Sequence, residues 1–244
     1  MLKNLSLIAL LGIAVVGVPS ELCAKSIKVA GTQKGAAAKS ITRQVAQQNI
    51  TIEFYSPSIV RILKSDAGLG ASVQKKSYSV ILKPQQMKDV QIQENGDVVN
   101  IKSRFISVEL NQQTGEIRFL SKDGKLLLTD TKTRLEARKD EANKGKYRIE
   151  QDFRLADDEA IYGLGQLRDV YMNQRGRQNI ELWNHNTYIA IPYFTSEKGY
   201  GLYWDNAGKT YFNDVVASKN NSNQPSCTSF TSEVGTCADY YFMY

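Results

Sequence analysis

A chain of 244 residues with 42% hydrophobic and 23% charged side chains has the composition of a soluble globular protein and enough apolar surface for one sizeable core. The formal charge is +6, and removing residues 1–24 takes away Lys3 and Glu21 and leaves it unchanged. Basic residues between Lys132 and Arg148 are interleaved with Glu136, Asp140 and Glu141, the pattern of a solvated loop or hairpin tip, so no nucleic-acid partner is expected.

Residues 1–24 read as a secretory signal peptide. Lys3 supplies a positive start, residues 5–18 are apolar, and a short polar stretch ends at the small residue Ala24. The apolar run is shorter than the roughly 20 residues that a membrane span requires. Cleavage after Ala24 therefore predicts an exported chain, periplasmic or extracellular, with no membrane span. Leu22 stands before Cys23 where a lipoprotein would carry a small residue.

Residues 25–48 lack a sustained apolar period and read as a flexible lead-in, with a short helix around Ala36 to Gln47. From residue 49 onward the chain reads as one β-sandwich domain. Ile50, Ile52 and Phe54 alternate with polar residues, Ser56-Pro57-Ser58 breaks the run, and Val60 and Ile62 resume it. Tyr78 to Leu82 reads as another strand. Glu94-Asn95-Gly96-Asp97 is a tight hairpin turn between Val90/Ile92 and Val99/Ile101, because Asn-Gly favours positive φ. Thr114-Gly115 and the run from Lys122 to Lys125 punctuate further strands at 105–110, 117–120 and 126–128.

Such spacing predicts an all-β antiparallel sandwich or barrel and opposes a doubly wound α/β fold. Residues 130–143, charged throughout, are open to either a helix or a strand pair with a mobile tip. Residues 220–225 form a polar loop. The chain stops within an apparent strand, as a fragment would or as the closing edge of the sandwich would.

Most aromatic side chains lie from Tyr162 onward, so residues 161–206 carry the functional signal. Glycine-bearing turns at 162–165, 175–176 and 198–201 separate short aromatic runs. The histidine His185 lies between Asn184 and Asn186, behind Trp183. Planar amides beside an aromatic face suit a sugar, whose hydroxyls need donors and acceptors and whose apolar face needs a ring. On an extended chain Asn184 and Asn186 would point to one side and His185 to the other. The alternative is that they are turn asparagines bonding their own backbone.

Other chemistries find little support. No G-x-S-x-G elbow accompanies the single histidine, and one histidine is too few for aldose mutarotation. With one His and, after cleavage, the cysteines Cys227 and Cys237, no His/Cys metal-ligand spacing exists; no metal or cofactor is expected. Those two cysteines either pair or are small buried hydrophobes. Carboxylates are plentiful, but no spacing selects a hydrolytic pair, and Asp157 to Glu159 reads as a solvated turn.

Several ordered motifs carry a family resemblance: IYGLGQ at 161–166, QRG at 174–176, LWNHNT at 182–187, IPYF at 191–194, GYGLYWDN at 199–206, and FTSEVGTCADYYFMY at 230–244, with GEIRFLSKDGKLLL at 115–128. The chain from about Ile50 onward resembles the N-terminal domain of glycoside hydrolase family 31, the retaining α-glucosidases and α-xylosidases. That resemblance implies a galactose-mutarotase-like β-sandwich followed by a catalytic (β/α) barrel holding both catalytic aspartates. No catalytic residue is then expected within the chain.

The sandwich of such enzymes lends a loop to the substrate pocket. Here that loop matches Trp183, Asn184, Asn186 and Thr187. Asn186 stands where many members carry a sugar-facing aspartate, and Gln166 where many α-glucosidases carry glutamate, which points to the α-xylosidase-like members. The implied partners are an oligosaccharide or α-glycoside substrate and the missing barrel. A severed domain would expose apolar surface that the barrel covers. A reading from a different class is a stand-alone carbohydrate-binding module without catalysis.

Overall fold

In a computed structural model the described residues are 40–244 apart from 71, 72, 74, 85–88, 170 and 218–224; the leader, most of the lead-in and most of the 220–225 loop lie outside them. Two antiparallel sheets face each other. The first contains, in spatial order, β1 (Ser40–Val45), β2 (Gln48–Ser56), β3 (Ile59–Asp66), β16 (Ala238–Met243), β13 (Gly201–Trp204), β12 (Ile189–Ser196) and β10 (Ile161–Gln166). The second runs β11 (Ile180–Leu182), β14 (Thr210–Val215), β15 (Cys227–Gly235), β9 (Tyr147–Arg154), β8 (Leu126–Ala137), β7 (Ile117–Ser121), β6 (Ile106–Asn111), β5 (Val98–Lys102) and β4 (Gln91–Asn95). This is the all-β antiparallel sandwich that the turn spacing predicts.

Alternation drives the pairing. Every second residue of β2, β3, β5 and β6 enters the space between the sheets, where Ile50, Ile52, Val60, Ile62, Val99, Val108 and Leu110 are buried. Gly96 takes φ 58° in the β4–β5 turn, the conformation that Asn-Gly favours. Rings from opposite sheets close the centre: Phe119 stacks on Phe242 at 4.4 Å, and Phe230 stacks on Trp204 at 5.6 Å and on Phe194 at 6.2 Å.

The core also holds a buried polar cluster. Lys64 of β3 donates to Asp130 of β8 at 2.7 Å, Gln151 of β9 donates to the same carboxylate at 2.8 Å, and Tyr240 of β16 donates to its other oxygen. All four side chains are essentially inaccessible, so the carboxylate is paired and hydrogen-bonded as burial demands.

Several expectations need correction. The helix expected around Ala36 to Gln47 is, from Ser40, strand β1: it pairs with β2 along its length, and Thr42 meets Thr51 hydroxyl to hydroxyl at 2.9 Å. Tyr78 to Leu82 is irregular, with Tyr78 and Ile81 exposed. Among the described residues it joins no β-ladder; the Ser77 hydroxyl accepts from the Ser79 and Val80 backbone N–H groups at 3.2 and 2.9 Å, while Lys75, just before it, is held by Arg61 at 2.8 Å and Asp239 at 2.7 Å. Residues 130–143 continue β8 to Ala137 and then make a single 3-10 turn, Glu141–Asn143, resolving that stretch as a hairpin with a charged tip. The last strand, β16, is central between β3 and β13 rather than a closing edge.

Glu159 is likewise not part of a solvated turn. It is buried, accepting from Ser196 and Tyr200 at 2.5 Å each and pairing with Lys198 at 2.7 Å. Cys227 and Cys237 are both free.

Candidate functional site

Strand β11 is the edge of the nine-stranded sheet, and β12 lies next to the edge of the other sheet. The six residues between them, 183–188, therefore cross from one sheet to the other at one margin of the sandwich. Ile180 and Leu182 anchor β11 in the core, which leaves the following side chains outside. Tyr188 N–H donates to the His185 carbonyl at 2.7 Å, and Thr187, third in this turn, has φ 68°. A β-turn with positive φ at that position is the one glycine normally fills.

The turn overturns the extended geometry expected for Asn184 and Asn186. Asn184 accepts from the Ala190 backbone N–H at 2.6 Å, the turn-asparagine role. Asn186 is exposed at the tip, and among the described residues its side chain has no hydrogen-bond partner. His185 takes a structural position: Nδ1 lies 3.0 Å from the Trp183 carbonyl and the imidazole stacks on Tyr188 at 4.7 Å. Trp183 is half exposed, with the Lys209 ammonium 5.1 Å from its ring centre. Tyr211 and Glu181 hold the Lys209 pKa above its ordinary value.

Gln166 ends β10 directly opposite Ile189, the first residue after the turn. Gly163 and Gly165 sit inside this strand, not in a turn. They flank a bulge where Leu164 takes φ 68° and enters the core, and a Cβ at Gly165 would come within 2.0 Å of the Ile189 carbonyl oxygen. Glycine here lets β10 press against the start of β12 and brings Gln166 beside the turn. A cavity of about 270 Å³ opens next to it, lined by Tyr162, Gln166, Asp169, Tyr171, Met172 and Gln174 among others. Arg168, between the cavity-lining Leu167 and Asp169, reaches over the Tyr188 ring at 5.9 Å.

The connection from β10 to β11 is held by contacts that sequence spacing did not reveal. Asp214, wholly buried on β14, accepts from Arg175, from the Gly176 backbone N–H and from Thr228, each at 2.5 Å. Gly176 has φ 75° and turns the chain so that its N–H faces the carboxylate. The QRG motif is thus a bolt between this connection and the nine-stranded sheet. Outside it, Arg177 pairs with Asp169 at 2.5 Å and stacks on Tyr171 at 4.6 Å, and this guanidinium holds the Asp169 carboxyl below its ordinary pKa. The one available signal was Asp214 itself, a carboxylate placed among inward-facing residues of an alternating strand.

No group of three or more His, Cys, Asp or Glu among the described residues is arranged to hold a metal ion. A model of the glycosyl hydrolase 31 N-terminal galactose mutarotase-like domain matches residues 49–213, more than half of the chain. The chain belongs to this domain family. An α-xylosidase of Saccharolobus solfataricus is 28% identical over 172 residues, covering 67% of this chain and 23% of that enzyme. Among solved structures, the family 31 α-xylosidase of Xanthomonas citri superimposes with a TM-score of 0.70 at 17% identity, covering 85% of this chain and 38% of its own. A family 31 dextranase of Flavobacterium johnsoniae does so at 0.62 and 23% identity, covering 86% and 26%. The family 31 chain described here thus corresponds to an N-terminal domain of larger glycosidases, and it spans about a quarter of the first of these relatives.

Proposed function

We propose that this domain is the N-terminal part of an exported retaining α-glycosidase that hydrolyses α-xylosides or α-glucosides, and that it contributes the 183–188 turn to one wall of the sugar pocket. The catalytic aspartates then belong to a (β/α) barrel outside the chain, and the sandwich binds and orients the sugar rather than breaking the bond. Export is supported by the leader pattern of residues 1–24, and the xyloside preference by Gln166 and Asn186 together with the α-xylosidases among the relatives.

The observation that carries this reading is the unengaged Asn186 amide at the tip of a turn in which Asn184 and His185 are both hydrogen-bonded to the backbone. An amide offers a donor and an acceptor in one plane, matching two neighbouring sugar hydroxyls, without the charge that strengthens the bonds of a carboxylate. Trp183 supplies an apolar face beside it, and Thr187 sets the turn that carries Asn186. The test is hydrolysis of p-nitrophenyl α-xyloside and α-glucoside by the full-length protein, with the anomer of the first product followed by NMR. Release of the α-anomer is expected; release of the β-anomer, or absence of hydrolysis on both substrates and on xylo- and gluco-oligosaccharides, overturns the proposal.

A further inference from the structure

Strands β4 to β7 form one end of the nine-stranded sheet, remote from the 183–188 turn, since four strands lie between β7 and β11 and seven between β4 and β11. The register of these four strands places two rows of side chains on the face turned away from the core. One row is Gln93, Asn100, Glu109 and Arg118; the next is Gln91, Lys102, Ser107 and Leu120. Directly opposed residues of antiparallel strands share a face, and the intervening Val99, Ile101, Val108, Ile117 and Phe119 all belong to the core. The outward face is therefore polar by construction.

That face is also concave. The two rows, Arg118 apart, and the β7–β8 turn, with Lys122 and Gly124, line a cavity of about 300 Å³. Ser107 and Leu120 form its floor: they are only 8% and 7% exposed although both point away from the core cluster. Part of the lining is preorganised. Ser107 Oγ donates to Asn100 Oδ1 at 2.7 Å, and Arg118 donates to Glu109 at 2.9 Å, neutralising it. Among the described residues the side chains of Gln91, Gln93 and Lys102 make no hydrogen bond or ion pair, so three donors converge above a small apolar floor.

We propose that this concavity is a second carbohydrate-binding site, taking a neutral pyranosyl unit of an oligosaccharide. The amides of Gln91, Gln93 and Asn100 supply the mixed donors and acceptors that vicinal hydroxyls need, and the two lysines of the lining, Lys102 and Lys122, add further donors. Leu120 gives the ring its apolar contact. The site is independent of the turn and does not rest on its assignment.

Side-chain amide NMR of the full chain, titrated with maltotriose, isomaltotriose and xylotriose, tests it. At least one of these sugars is expected to shift the amide signals of Gln91, Gln93 and Asn100 and the Leu120 methyls saturably, with a dissociation constant on the order of 1 mM. These shifts persist in Trp183→Ala and weaken at least tenfold in Lys102→Met and in Asn100→Leu, whose spectra report whether each variant folds. Absence of shifts with all three sugars at ten times that concentration overturns the site. So do shifts confined to residues 183–188, which would leave the turn's role standing, and so does unchanged affinity in a folded Lys102→Met.

Discussion

Asn184 and Asn186 differ by two positions in sequence and by function in the fold. Asn184 satisfies a backbone N–H at the start of β12, so Asn184→Ala should cost about 1 kcal/mol of stability in chemical denaturation. Asn186→Ala should leave stability unchanged, because the side chain holds nothing within the chain. Thr187 carries the strain of a β-branched residue at φ 68°. Thr187→Gly should then raise the unfolding free energy by on the order of 1 kcal/mol; a loss of stability would show that the threonine side chain is needed where it stands. The free cysteines make a separate check. Burial pushes both thiols up to about 11, so at pH 8 neither Cys227 nor Cys237 should be alkylated by iodoacetamide until denaturant is added, as read by peptide mass spectrometry.

At the scale of elements, the connection between β10 and β11 depends on one buried ion pair and one exposed one. Arg175→Met leaves Asp214 buried without its charged partner and should cost about 3–5 kcal/mol. Asp169→Asn, at the exposed pair with Arg177, should cost only about 0.2–1 kcal/mol. The sign of its pH dependence follows from the lowered Asp169 pKa. The pair's stabilisation is complete above the unfolded carboxyl pKa of about 4 and is lost as pH falls through the lower folded value. Comparing denaturation of the parent and Asp169→Asn at pH 6 and pH 2.5 should show a larger difference at the higher pH. Sequence pattern made the hairpins legible, because Asn95-Gly96 and Lys122 to Lys125 announce their turns locally. It failed for Tyr78 to Leu82, whose alternation resembles a strand but whose backbone N–H groups bond locally to Ser77, and for Glu159, where the outcome depends on partners distant in sequence, Tyr200 and Lys198. The two asparagines looked equivalent for the same reason, since only the turn at His185–Tyr188 separates their directions.

Across the whole molecule, two sheets are joined by stacked rings and by the Lys64–Asp130–Tyr240–Gln151 cluster. Lys64→Ala should destabilise the sandwich by about 3–5 kcal/mol through the unpaired carboxylate it leaves. This scaffold carries the turn at the margin where β11 hands the chain to β12, and the barrel-borne chemistry of the proposed glycosidase would use that margin as a wall of its pocket. The most direct measurement is kcat/KM of the full-length protein on p-nitrophenyl α-xyloside and α-glucoside, for the parent and for Asn186→Ala. The expected result is a fall of about 10-fold to 100-fold on the preferred substrate with an unchanged unfolding midpoint, the loss of roughly one or two hydrogen bonds to the bound sugar. Equal kcat/KM for the two proteins on both substrates would contradict the assignment of this turn to the sugar pocket.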